Sequence, residues 1–248
     1  MRATKLMSGL SSGVALAVLA LTPLFASAAT TTTTGPGTSS SNLTTVSDGY
    51  AATSTGNAEA QTNAEFTVSP GSLTLNQVPN IALGSVSVKS IATGSPNLPL
   101  VAGNTTGGAG YDGNGNSDVN VTDYRGDHAG WTLTVGMGPF TSGTATVSSA
   151  SLALDVSKGA TDNTSTSAPM TLNLTQGTTT SGWISSPQTV WNADANTGEG
   201  SNTATAEPTS SLTLGKQPTI TAGTYDATLY WALQNAPAAA PASSTTTP

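Results

Sequence analysis

The sequence predicts an all-β fold: a single antiparallel β-sandwich or barrel-like domain that follows a signal peptide and a disordered Thr/Ser-rich tether. Three observations predict it. Between Ala64 and Pro237 the apolar residues recur with period two, the alternation of a half-buried strand, and not with the 3.6-residue rhythm of a helix. Gly, Asn and Pro punctuate the gaps between these runs, as turn residues do. No window makes an amphipathic helix.

The elements follow in chain order. Arg2 and Lys5 precede an apolar run centred on Val14–Leu21, and Ala26-Ser27-Ala28 offers the small residues of a cleavage site, so residues 1–28 are expected to be a signal peptide cut after Ala28. The run is short for a membrane span and nothing later is as long and apolar, so export without membrane insertion is expected. Residues 29–63, rich in Thr and Ser with almost nothing to bury, are a flexible linker. The domain, 64–237, then brings the alternating pairs Phe66/Val68, Leu73/Leu75, Val86/Val88 and Val119/Val121. Trp131, Leu133 and Val135 come next, followed by Leu152, Leu154 and Val156, then Met170, Leu172 and Leu174, then Leu212 and Leu214. The longest run puts Tyr225, Ala227, Leu229, Trp231 and Leu233 on one face. Residues 238–248 are an Ala/Pro/Thr-rich tail with no Leu-Pro-x-Thr-Gly sorting motif and no apolar anchor, so any surface attachment is expected to be noncovalent.

Charge narrows the function classes. Only 8% of the 248 residues are charged and none is Cys, so a disulfide framework is excluded and the core must hold the domain unaided. Without the signal peptide four basic residues remain (Lys89, Arg125, Lys158, Lys216) against thirteen acids, a net charge of 4 − 13 = −9. Nucleic acid is therefore not an expected partner, because phosphate binding needs Lys and Arg to release counterions.

Several constellations invite a chemical reading. Asp112, Asn114, Asn116 and Asp118, with Asp123 at the twelfth place, approximate a calcium loop, but Ser117 stands where a Gly is required and no helices flank it, so a polar surface turn is the competing reading and no metal is expected. Arg125-Gly126-Asp127 spells an adhesion tripeptide; the same residues read equally as a turn in which Asp123 and Arg125 pair. His128, the only His, could serve a triad only with Asp123 or Asp127 and some Ser, and no Ser sits in a Gly-x-Ser-x-Gly elbow. A carboxylate pair for glycoside hydrolysis is conceivable among thirteen acids, but the domain's glutamates are only Glu65, Glu199 and Glu207, and Gly198-Glu199-Gly200 reads as loop. Trp183 and Trp191 flank a Ser-rich stretch and are either surface aromatics or a hairpin over the sandwich edge. For Trp131 and Trp231 the alternation fixes the side of the strand and leaves depth open between core and contact surface.

Two segments carry a family resemblance. The first is Val121-Thr-Asp123-Tyr-Arg125-Gly126-Asp-His-Ala-Gly130-Trp131-Thr-Leu133-Thr-Val135; the second is Tyr225-Asp-Ala-Thr-Leu229-Tyr-Trp231-Ala-Leu233-Gln-Asn-Ala-Pro237. With the entry stretch Phe66-Thr-Val-Ser-Pro-Gly-Ser-Leu73, this pattern resembles the WxL domain of surface proteins in low-GC Gram-positive bacteria, over about Ala64 to Pro237. The resemblance implies a secreted protein that associates noncovalently with the cell wall by binding peptidoglycan through this domain, often beside partner surface proteins, with no catalysis and no cofactor. It makes Asp123, Arg125, Gly126, Gly130, Trp131, Leu133, Tyr225, Leu229, Trp231, Leu233 and Pro237 the motif and binding residues. Tyr230 departs from the family's usual Thr but points away from the tryptophan side. The alternative is a structural or adhesive subunit that docks onto other surface proteins or host matrix through exposed sheet edges. In either case the two Trp-bearing strands are expected to be neighbours that share one apolar cluster.

Overall fold

The structure, a computed structural model, describes residues 52, 54–55, 63–101, 107–113, 115 and 117–237. The expected signal peptide and tail lie outside the described residues, as does nearly all of the expected linker. Of the unit Met1–Thr67, the described residues form neither helix nor strand; the strands all belong to the unit Val68–Pro248.

That unit opens with β1 (Leu73–Gln77), a short helix α1 (Val88–Thr93) and β2 (Asn97–Pro99). Next come β3 (Asp118–Asp123), β4 (Trp131–Met137), β5 (Thr141–Ser142), β6 (Ala145–Thr146), β7 (Ala150–Leu154) and β8 (Val156–Thr161). It closes with β9 (Leu172–Thr175), β10 (Thr179–Thr180), β11 (Trp183–Ile184), β12 (Gln188–Ala193), β13 (Gly200–Ala206), β14 (Ser211–Leu214) and β15 (Leu229–Gln234). Three sheets carry the fold, in the orders β1-β3-β13-β8, β12-β4-β15 and β2-β14-β7-β9, with β5-β6 and β10-β11 as small hairpins. Each order has two ends and the strand pairings are antiparallel, so the sheets are open and stack as a sandwich without closing a barrel.

The alternation of the sequence produces this directly. In β3 and β7 every second residue is buried, and one cluster gathers Val119 and Val121, Leu152 and Leu154, Leu212 and Leu214, and the inner residues of β4. Strand β4 is the exception, because all seven of its residues are buried. Its inner face, Trp131, Leu133, Val135 and Met137, belongs to the core, and its other face, Thr132, Thr134 and Gly136, is also covered. The Thr132 hydroxyl lies 2.8 Å from Asn192 Oδ1 and 2.9 Å from the Ala236 carbonyl, and Thr134 Oγ1 donates to the Ala232 carbonyl at 3.3 Å. Ile184 of β11 sits over Gly136 so closely that a Cβ there would lie 2.7 Å from its Cγ2.

Five local expectations are corrected. Phe66 and Val68 form no strand and are exposed, at 87% and 78%. Val86 and Val88 do not share a strand: Val88 opens α1, whose N-cap Ser87 accepts from the Ser90 amide at 3.1 Å and whose one buried residue is Ile91. Six residues with a single buried side chain leave no periodicity to detect. Met170 lies outside β9 and is exposed, and Tyr225 and Ala227 precede β15. The strand after Leu154 breaks at Asp155, whose amide and carbonyl both bond Ser210 Oγ, so Val156 starts a strand of a different sheet.

Because Ile184 packs on a glycine, Gly136→Ala is expected to destabilise the domain by about 1–3 kcal/mol through overpacking, read as a lower urea midpoint with an unchanged slope.

Candidate functional site

The chain between β3 and β4 must turn back within seven residues, and it does so through Gly126 and Gly130, both in the left-handed region at φ +72° and +75°. At Gly130 a side chain is excluded twice over, since a Cβ would fall 2.3 Å from the Ala193 carbonyl oxygen. The turn wraps Arg125 inward. Its Nε donates to Asp123 Oδ1 at 2.9 Å, and its Nη2 donates to Asp123 Oδ2 at 2.6 Å and to the Gly130 carbonyl at 2.7 Å. Nη1 reaches Asn235 Oδ1, just past β15, and lies 3.6 Å from Asp127 Oδ2. The Asp123 and Arg125 side chains are 3% and 11% exposed. One guanidinium thus ties the end of β3, the start of β4 and the end of β15 together. The hydrogen bonds from Arg125 hold the Asp123 carboxyl below the usual carboxylate range despite its burial, and Asp123 holds the guanidinium proton more tightly than usual.

The two tryptophan strands are hydrogen-bonded neighbours. In the β4–β15 register Trp231 faces Val135 and Leu233 faces Leu133, which puts Trp131, Leu133, Trp231 and Leu233 on one face of the β12-β4-β15 sheet. The expectation of one apolar cluster holds, with Trp131 inside it and Leu229, Trp231 and Leu233 packed against it. The indoles are nevertheless four residues apart along the sheet, about 13 Å. The ring that meets Trp131 is Trp191 of β12, edge to face, with centroids 5.2 Å apart. Trp131 is fully buried and its Nε1 donates to the Gly198 carbonyl at 3.1 Å; Trp191 is equally buried and donates to the Ser167 carbonyl at 2.8 Å. Trp131 is therefore core. Trp231 is half-buried and lines a cleft of about 1140 Å³ together with Ile81, Phe140, Tyr225 and Leu229. Tyr225 is also half-buried, its hydroxyl donating to the Thr221 carbonyl at 3.0 Å, and Pro237 is half-buried at the end of the second motif.

The remaining candidates are dispersed. Asp112 accepts from Asn80 Nδ2, Asp118 from Thr205 Oγ1 and Asp123 from Arg125, so the carboxylates of the calcium-like spacing are held by three different neighbours; Asn114 and Asn116 lie outside the described residues. Asp127 accepts from the Ala129 amide, and Arg125 beside it is buried in the clasp and not displayed at a loop tip. His128 Nδ1 pairs with Glu199 Oε1 at 2.8 Å, not with Asp123 or Asp127. That hydrogen bond, with a second from Asn163, draws the Glu199 carboxyl below its ordinary range. Trp183 is 46% exposed and stacks edge-on against Tyr230 at 5.3 Å, which settles it as a surface aromatic while Trp191 is core. No helix of the described residues is long and apolar enough to cross a membrane.

Fold and site together define a cysteine-free β-sandwich whose paired motifs build its centre. The family described as WxL domain, surface cell wall-binding, matches residues 53–237, and the chain belongs to it. Its place is accordingly the cell wall surface. No curated protein and no solved structure matches the chain.

Sequence reasoning missed Asn235 and Gly198. Asn235 stands inside the second motif, but nothing in its spacing ties it to a residue 110 positions earlier. Gly198 looked like loop, and it supplies the carbonyl that satisfies the buried Trp131 indole.

Removing Arg125 leaves Asp123 buried without its partner, so Arg125→Ala is expected to cost about 3–5 kcal/mol in chemical unfolding. Because the Asp123 pKa is lowered on folding, its contribution is present above the unfolded value of about 3.9 and is lost as pH falls through the folded value. Melting temperature should therefore fall on acidification below that range, and more shallowly in Asp123→Asn. Trp131→Ala is expected to cost about 3–5 kcal/mol, and Trp231→Ala distinctly less, measured in the same unfolding series.

Proposed function

We propose that the domain attaches the protein noncovalently to the cell wall by binding peptidoglycan, and that it works as a binding module without turnover. Membership of a surface wall-binding family supplies the wall. The choice of peptidoglycan within the wall is carried by one observation, the shortage of available cations. Of the four basic residues in the described domain, Arg125 is consumed by the clasp, and Lys158 Nζ donates to the Thr164 and Thr166 carbonyls. Lys89 and Lys216 remain on a chain with thirteen acids. Anionic wall polymers would be repelled by such a surface, whereas the glycan and peptide mesh offers neutral sugar rings and amides. The ring best placed to meet a sugar is Trp183, half-exposed on the β10–β11 hairpin and braced by Tyr230. The pairing of His128 with Glu199, with no Ser beside it in the described hydrogen bonds, favours binding over catalysis.

Sedimentation with purified sacculi tests the reading. The domain should pellet with sacculi stripped of anionic polymers at least as well as with native ones, and should stay bound at high salt. A domain that stays in the supernatant with stripped sacculi sinks the proposal. Trp183→Ala should weaken pelleting several-fold with nearly unchanged melting.

A further inference from the structure

The β10–β11 hairpin is held to the body of the domain by one side chain. Its turn, Ser181-Gly182, has both residues in the left-handed region at φ +54° and +81°, the two-residue geometry that matches the twist of paired strands. Side chains alternate along β11 and just beyond it, so Ile184 points in while Trp183 and Ser185 point out. Ile184 enters a socket made by two glycines: a Cβ on Gly136 would lie 2.7 Å from its Cγ2, and a Cβ on Gly177 would lie 2.8 Å from its Cδ1. The Gly177 amide donates to the Met137 carbonyl at 2.8 Å and the Ser185 amide to the Thr178 carbonyl at 3.0 Å, which ties the socket and the base of the hairpin to β4.

The outward side of this hairpin has one composition throughout. Thr180 is the cross-strand partner of Trp183 and shares its side. Two positions further from the turn, on that same side, the Thr178 and Ser185 hydroxyls lie 3.1 Å apart. Tyr230 stands edge-on to the indole and sets its tilt. A half-exposed ring is thus flanked by three hydroxyls, and from Asn163 to Ala193 the chain carries no ionisable side chain. We infer that this face is the glycan subsite of the domain, an inference that rests on the peptidoglycan reading above. Trp183 stacks on one uncharged sugar ring, the hydroxyls of Thr178, Thr180 and Ser185 exchange hydrogen bonds with those of the sugar, and Ile184 is the positioning residue that holds the indole in place.

The chemistry of the face selects the glycan strand over the stem peptide. A Ser or Thr hydroxyl donates and accepts, as a sugar hydroxyl does, and an indole offers a flat apolar surface to the C–H face of a sugar ring. The free carboxylates and amines of a stem peptide call for charged partners, and the hairpin supplies none. Ile184 matters because strands this short hold no position of their own. Seated between Gly136 and Gly177, it places the ring before the sugar arrives, so little ordering entropy is lost on binding.

The experiment titrates the full exported chain with glycan strands freed of stem peptides by amidase digestion and, separately, with the released peptides, reading tryptophan emission. The glycan strands should shift the emission, the peptides should not, and the shift should vanish in Trp183→Ala. Thr178→Val/Ser185→Ala should weaken glycan binding several-fold with unchanged melting, since both hydroxyls are exposed. Ile184→Ala should weaken it as well, and Ile184→Val should restore most of it. In fluorine spectra of the chain labelled with fluorotryptophan, Ile184→Ala should move the Trp183 line and leave the Trp131 and Trp191 lines in place, which marks a displaced ring on an intact core. Binding of the peptides and not of the stripped glycan overturns the inference, as does a Trp183→Ala or Ile184→Ala chain that binds the glycan as tightly as the parent. Pelleting with intact sacculi is read separately: a chain that pellets but ignores the stripped glycan fails here and leaves peptidoglycan binding standing, whereas one that does not pellet sinks the earlier reading.

Discussion

A guanidinium held out of water is the constraint on which the domain depends. Arg125 gives a bidentate pair to Asp123, a hydrogen bond to the Gly130 carbonyl and a reach to Asn235, all within a few residues of where β3 ends, β4 begins and β15 ends. Charges this deeply buried are tolerable only when their hydrogen bonding is nearly complete, so each of these groups must stand where it does. The clasp fixes the turn that brings Trp131 into the core, and it brings the second motif beside the first. The two motifs are the two halves of one buried polar joint, which gives their pairing a structural cause.

The four tryptophans divide the labour that this joint makes possible. Trp131 and Trp191 meet edge to face and each satisfies its indole N–H on a backbone carbonyl, so both are spent on packing. Trp231 shares their face of the sheet but lines the cleft and is only half-buried. Trp183 stands on a hairpin whose Ile184 plugs the space above Gly136, leaving the indole beside Tyr230 and facing solvent. Packing is thereby concentrated at the centre and the exposed aromatic surface lies at the rim, in a chain that folds without disulfides. Tyr230, on the face of β15 opposite Trp231, braces Trp183 on the outer surface.

Much of the fold was legible because a strand buried on one face writes its environment in period two. β3, β7 and β14 were read from their alternating residues, and so were the facing positions of the two Trp-x-Leu triplets. Where the reading failed, local pattern and tertiary environment disagreed. Phe66 and Val68 alternate as a strand does but have no neighbouring strand in the described structure; Val88 begins a helix of barely a turn and a half; Met170 ends up exposed. The site was legible in its charges, since the Asp123–Arg125 pairing is two residues apart, and illegible in Asn235 and Gly198, which join it only through folding.

The sequence by itself determined the all-β class, the side of the strand on which each tryptophan lies, the acid–base pair in the turn and the family, because each depends on residues within a few positions or on a recurring spelling. Only the tertiary structure decided depth: that Trp131 is sealed while Trp231 borders a cleft, that Trp183 is the outward ring, and that Arg125 serves the interior and not adhesion. Depth is a property of what packs from elsewhere in the chain, and alternation along one strand records which way a side chain points without recording how much lies above it.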